Sequence, residues 1–394
     1  MSRIRCMSGL VLVLAAQFLQ AEPVVSGYLD STVFMGAGAG SGPGFIYGLE
    51  EYANIRLQAR VRDEALFYGS VNLSASSGSY AQAVLPVTVP GQTAVPGPAL
   101  VTLGDNYAAA LELERLYVKI SREKTDFQAG LTRMAFGYGL VFGPMDFLNT
   151  RNPLHPDARP RAVLGADLAY YPAGDLKVQG FSAAARNPLA GSGAGTLAGL
   201  SAEYHGENLS LQGLYVYESP HNTFTRGIHR FGLSLKGDLV AGLAAETIYT
   251  HDPRGLNTAE NAKEGLALSL GLDYAFLGGD LYVLVEYLYC GNRSSAAESL
   301  GFTGNHYVYA NGLYRLGDYT GLGLGSMAAL DDFSFALILT VEHELFQGFT
   351  LNLNCQVPLD RSLSGGAAGE FGPLPPGAAA GRYVQSTLKA RLRF

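Results

Sequence analysis

The sequence predicts an all-β fold, a transmembrane antiparallel β-barrel of about eighteen strands (sixteen also fits), on three observations. Apolar and polar residues alternate along segment after segment. Long and short connections alternate between those segments. The last segment, "TLKARLRF", is apolar on one side and cationic on the other.

The first residues stand outside that fold. "MSRIRCMSGLVLVLAAQFLQAEP" places Arg3 and Arg5 before an apolar run, Leu10 to Ala16, and a small-residue site at Ala21. This is the layout of a secretory signal peptide over residues 1–21. Cys6 precedes the apolar run, so it is not a lipoprotein cysteine. Residues 22–394 read as one domain, because no linker or composition break divides them. Removing residues 1–21 takes away two Arg and no acid, which leaves 25 basic against 34 acidic residues and a net charge of −9. That balance argues against nucleic acid as a partner. Charged residues make up 15% of the chain, well below the ~25% of an average soluble domain. The chain has 50 Gly, 23 Tyr and no Trp, which suits strands, turns and an aromatic surface. After the signal no apolar run reaches the roughly 18 residues of a transmembrane helix. Cys290 and Cys355 fall four strands apart, which predicts two free thiols. No zinc-type Cys/His spacing and no cofactor motif appears.

The eighteen expected strands are 24–36, 45–62, 65–76, 107–121, 124–135, 162–172, 175–186, 195–205, 207–218, 228–236, 241–251, 264–275, 280–290, 305–315, 319–329, 332–344, 348–357 and 381–394. In the second, Ile55, Leu57, Ala59 and Val61 face one way, and Arg56, Gln58, Arg60 and Arg62 the other. In the twelfth, Leu266, Leu268, Leu270, Leu272 and Tyr274 oppose Ala267, Ser269, Gly271 and Asp273. In the seventeenth, Phe349, Leu351, Leu353 and Cys355 oppose Thr350, Asn352, Asn354 and Gln356. The apolar phase of the fourth slips by one residue at Glu114–Arg115, the mark of a β-bulge.

Short connections such as "AGD", "GEN", "LGGD", "LGD" and "FQG" alternate with long ones at 77–106, 136–161, 252–263, 291–304 and 358–380. Barrels that cross an outer membrane alternate short turns on one side with long loops on the other, over an even strand count. In lipid every backbone N–H and C=O needs an internal partner, so a sheet must close on itself. The apolar faces then meet lipid and the polar faces a watery lumen. Tyr28, Tyr204, Tyr274, Tyr287 and Tyr307 lie near strand ends and are expected in interfacial girdles. A soluble propeller or β-helix would show a repeat of about 20–50 residues, and none is present. The neutral, Pro- and Gly-rich stretch 77–106 is expected to fold over the pore mouth or to form an external hairpin.

"TLKARLRF" resembles the C-terminal assembly signal of bacterial outer-membrane β-barrels, with Leu388, Leu392 and Phe394 on its apolar side. "GPMDFLNTRNPLHPDARPRAVLGADLAYY" is similar to the segment around a long inner loop in porin-like barrels of the alginate-export and specific-porin type. These resemblances imply the bacterial outer membrane, contact with membrane lipids, and insertion by the outer-membrane barrel assembly machinery. They imply passage of small hydrophilic solutes, and they are compatible with a homo-oligomer.

A barrel of about 16–18 strands encloses an aqueous channel. The expected function is therefore a porin-like channel for passive diffusion of small hydrophilic solutes. By resemblance, the long connection 136–161 folds inward and narrows it. Its candidate constriction residues are Asp146, Arg151, His155, Asp157, Arg159 and Arg161, and Pro144, Pro153, Pro156 and Pro160 restrict its backbone. Candidate pore-lining residues are Arg56, Arg60, Arg230, Glu112, Asp273, Glu286, Lys389, Arg391 and Arg393. The first and last strands are neighbours in a closed barrel, so Arg56, Arg60, Lys389, Arg391 and Arg393 can share a basic wall that favours anions. Pairing of these charges across strands is the competing expectation. A selective transporter for an anionic saccharide or a hydrophobic compound, and a surface adhesin barrel, fit the same pattern. An enzyme does not: no G-x-S-x-G and no H-E-x-x-H is present, and His251–Asp252 are strand neighbours that point to opposite faces.

Overall fold

The computed structural model describes residues 23–39, 45–61, 64–79, 99–104, 106–149, 162–184, 195–220, 227–251, 265–291, 304–359 and 382–394. Residues 1–21, the expected signal peptide, lie outside them. The strands are β1 (Pro23–Ala39), β2 (Phe45–Val61), β3 (Ala65–Gly78), β4 (Ala99–Leu103), β5 (Tyr107–Arg122), β6 (Thr125–Thr132), β7 (Val163–Ala173), β8 (Leu176–Ala184), β9 (Thr196–His205), β10 (Leu209–Glu218), β11 (Ile228–Asp238), β12 (Gly242–His251), β13 (Leu266–Phe276), β14 (Leu281–Cys290), β15 (His306–Leu316), β16 (Thr320–Ala329), β17 (Ser334–Phe346), β18 (Phe349–Leu359) and β19 (Arg382–Arg393).

Each strand pairs antiparallel with the next, β3 passes directly to β5, and β19 pairs with β1. The sheet is therefore a closed barrel of eighteen strands. The seam is long: Tyr28 to Ala39 face Arg393 to Arg382 in unbroken register. Phe394 completes it, since its C=O accepts from Gly27 N–H at 2.9 Å and its N–H donates to Gly27 C=O at 3.1 Å. A Cβ at position 27 would lie 2.9 Å from Phe394 Cζ and 2.2 Å from Asn54 O, so only glycine admits this closure.

The remaining segment, β4, pairs with β5 from Ala99↔Glu112 to Leu103↔Ala108. β6 pairs with β5 only over Leu116 to Arg122, on the short-turn side of that stretch. β4 thus continues the wall where β6 stops. β4 and β5 form a hairpin across residues 103–108, and residues 80–98 of the stretch 77–106 lie outside the described residues. "ALVTL" is a short run bounded by Pro and Gly, so it carries little strand signal in the sequence alone.

The slip in the fourth expected strand is a β-bulge. Ser70 pairs with Arg115 and Val71 with Leu113, which leaves Glu114 as the extra residue. Both Glu112 and Glu114 consequently point inward and are buried. On the outside, Leu57, Leu73, Leu168, Leu233, Leu270 and Leu324 are among the exposed residues of an apolar wall. Cys290 and Cys355 are free thiols.

Two features differ from the sequence reading. Tyr28 and Tyr307 do not join an outer girdle. Tyr307 is fully buried inside, and the Tyr28 ring lies under Arg391 and Arg56 on the inner face. "HYVYANGLY" has aromatic residues in both phases, so alternation could not orient Tyr307. The inner face is also not uniformly polar. Toward the long-loop end, Val216, Ile248, Leu288 and Met327 point inward with no exposed surface. They pack against a segment that leaves the wall after β6.

Candidate functional site

That segment, residues 133–149, runs inside the barrel across the strands rather than along them. "FGYGLVFGP" lacks alternation and contains three glycines. Gly137 has φ +86° and Gly143 φ +46°, so the chain cannot continue as a strand here. Its backbone needs acceptors, and the wall supplies them in order. Gly137 N–H donates to Gln212 Oε1 on β10. Tyr138 N–H donates to Ser234 Oγ on β11 at 3.0 Å. Gly139 and Met145 N–H donate to the two oxygens of Glu246 on β12. Val141 and Phe142 N–H donate to the two oxygens of Glu286 on β14, at 2.6 and 3.3 Å.

The acceptors form a row because the strand register aligns them. Lys177 opposes Glu203, Glu203 opposes Gln212, Gln212 opposes Ser234, Ser234 opposes Glu246, and Glu246 opposes Ser269. The row is braced internally: Ser234 Oγ donates to Glu246 at 3.1 Å, Gln212 to Glu203 at 2.6 Å, and Lys177 pairs with Glu203 at 3.2 Å. Glu246 and Glu286 are each 1% exposed. Buried carboxylates without cations are costly unless hydrogen-bonded, and here amide N–H groups fill that role.

Packing completes the attachment. A Cβ on Gly137 would lie 2.1 Å from Glu246 Oε1, which explains the glycine at the closest approach. Phe142 and Met145 are 1% and 0% exposed within the apolar inner wall. Gly232 on β11 and Gly271 on β13 leave room for Met145 and Leu140. Burying a side chain such as Met or Phe is worth about 1.5–3 kcal/mol relative to exposure.

The opposite wall is polar. Asn54 Nδ2 donates to Asn72 at 2.6 Å and to Glu114 at 2.8 Å, and Asn72 donates to Glu112 at 2.8 Å. Arg133 pairs with Glu114 at the point where the segment leaves β6. Arg115 lies over the Tyr68 ring, 4.5 Å from its centre. Arg391 makes a bidentate pair with Asp30, both contacts 2.7 Å, and stacks on Tyr28.

The candidate residues fall as follows. Asp146 belongs to the inserted segment and ties it to itself: Oδ1 accepts from Asn149 Nδ2 at 2.9 Å and from Phe136 N–H at 3.4 Å. Arg151, His155, Asp157, Arg159 and Arg161 lie outside the described residues. Arg56 faces inward and donates to Asn54 Oδ1. Arg230 is 6% exposed, pairs with Glu218 at 2.9 Å and lies over Phe147. Glu112 and Glu286 face inward, both covered by their partners. Asp273 opposes Gly242 at the short-turn end. Lys389 opposes Thr32 and Asn352, while Arg60 and Arg393 are exposed near the rim. Leu388, Leu392 and Phe394 are exposed on the outer face of β19 and at its end. Sequence reasoning missed Glu246, Gln212, Ser234, Asn54 and Asn72. Their inward phase was readable, but their alignment depends on register between strands.

A closed, even-numbered antiparallel barrel with an apolar outer wall and a chain segment within its lumen has the architecture of an outer-membrane β-barrel. Solved structures share this architecture. Over 95% of its length the chain is similar to 98% of a BenF-like porin from Pseudomonas fluorescens Pf-5, with TM-score 0.59 and 10% identity. Over 96% it is similar to all of Pseudomonas aeruginosa OccK9 (OpdG), with TM-score 0.57 and 13% identity. Over 95% it is similar to 98% of Acinetobacter baumannii OccAB4, with TM-score 0.56 and 8% identity. At these identities the likeness is one of fold. No protein-family profile matches the sequence, and no curated protein matches it.

Proposed function

We propose that this barrel is a non-enzymatic outer-membrane channel through which small hydrophilic solutes diffuse, narrowed by residues 133–149. The observation that carries this reading is the attachment of that segment to the side chains of four strands through six backbone N–H groups. A segment held so firmly sets a fixed aperture. Solutes pass between it and the polar wall of β1, β2, β3, β5, β18 and β19, where the half-buried Asn352 and Asn354 offer neutral hydrogen-bonding groups. An anion preference has less support, because Arg391 is committed to Asp30 and two acids stand on neighbouring β5. Deleting residues 136–149 tests the reading in planar bilayers. Single-channel conductance should rise, and liposomes should admit larger sugars. Unchanged conductance from a correctly folded barrel removes the segment from the solute path.

A further inference from the structure

We propose that His229 and His251 form a binding site for one divalent transition-metal ion, of the Cu²⁺ and Zn²⁺ class, on the outside of the barrel near its long-loop end. The two residues are directly opposed across β11 and β12. Their phase is outward, since the inward neighbours Arg230 and Thr250 are buried. The ring centres are 6.3 Å apart at an interplanar angle of 41°. With metal–nitrogen bonds of about 2.0–2.1 Å, two imidazoles on one ion have centres roughly 5–6.5 Å apart, from tetrahedral to linear geometry. The observed spacing lies in that range.

A second observation concerns the other nitrogen of His229. Tyr215 OH lies 2.9 Å from its Nδ1. In the bound form Nδ1–H donates to Tyr215 Oη, which leaves the Nε2 lone pair to the ion. Fixing one ring nitrogen to orient the other is the usual support for a histidine ligand. Tyr217 and Tyr215 flank the His229 ring, at 5.1 and 6.1 Å between centres. Both histidines stand about nine residues above the short turn, roughly 20–25 Å up a tilted wall, at the lipid headgroups. Water is present there to fill the remaining coordination positions. Imidazole ligands favour Cu²⁺ over Zn²⁺.

The fold supplies its own control. Tyr287 OH lies 2.7 Å from His306 Nδ1 in the same arrangement, but His306 is opposed by Tyr289 instead of a second histidine. The test titrates Cu²⁺ into the full barrel in detergent, with thiols alkylated, and follows electron paramagnetic resonance. The expected result is one ion with two nitrogen ligands. His229→Ala and His251→Ala should each weaken binding at least tenfold, and Tyr215→Phe by about tenfold. His306→Ala should leave it unchanged. Heat-modifiable mobility of each variant separates loss of the site from loss of the barrel. Binding that survives His229→Ala or His251→Ala, or that disappears in His306→Ala, overturns the proposal.

Discussion

Replacing Glu286 by Ala removes the acceptor of two backbone N–H groups, those of Val141 and Phe142. Hydrogen bonds to a charged group contribute about 1.5–3 kcal/mol each, which sets an upper limit near 3–6 kcal/mol for the pair. Relief of the buried carboxylate, which pairs with no cation among the described residues, offsets part of this. We expect the segment's attachment to weaken by about 2–4 kcal/mol, or roughly 30- to 700-fold in the ratio of detached to attached states. The barrel itself should survive, because the backbone ladder of β14 with β13 and β15 is untouched. The assay is single-channel recording in planar bilayers, with wild type and the 136–149 deletion in parallel. Glu286→Ala should show higher mean conductance and frequent steps toward the level of the deletion. Glu286→Gln should fall between, because its amide keeps one acceptor oxygen. Wild-type conductance and steadiness in Glu286→Ala would refute the idea that these bonds hold the constriction.

Two further outcomes follow from the seam. Arg391→Ala leaves the buried Asp30 carboxylate without its bidentate partner, so reversal potentials in a salt gradient should shift toward cations while assembly is preserved. No shift would mean that this wall does not face the solute path. Phe394→Ala keeps the two backbone bonds to Gly27 but removes the ring that packs over it. The yield of heat-modifiable, membrane-inserted barrel should fall, and a wild-type yield would separate the ring from assembly.

Alternation was enough to read the wall. Each strand buries one face and shows the other, and a period of two survives in any sequence that must do so. The bulge at Glu114 was legible for the same reason, as a slip of phase. β4 was not, because five residues between Pro98 and Gly104 carry too little alternation. Tyr307 was misplaced because its strand is aromatic in both phases.

The sequence by itself determined a lipid-facing exterior, a seam ending in Phe394, alternating loop lengths and an unusual non-alternating stretch after β6. It did so because these are local properties, set by side-chain period and turn chemistry. Only the tertiary structure decided where that stretch goes. Its partners, Gln212, Ser234, Glu246 and Glu286, come from four strands spread over 75 positions and are joined only by register. Whether an inward Glu meets water or a backbone N–H depends on what crosses the lumen in front of it, and no local pattern records that.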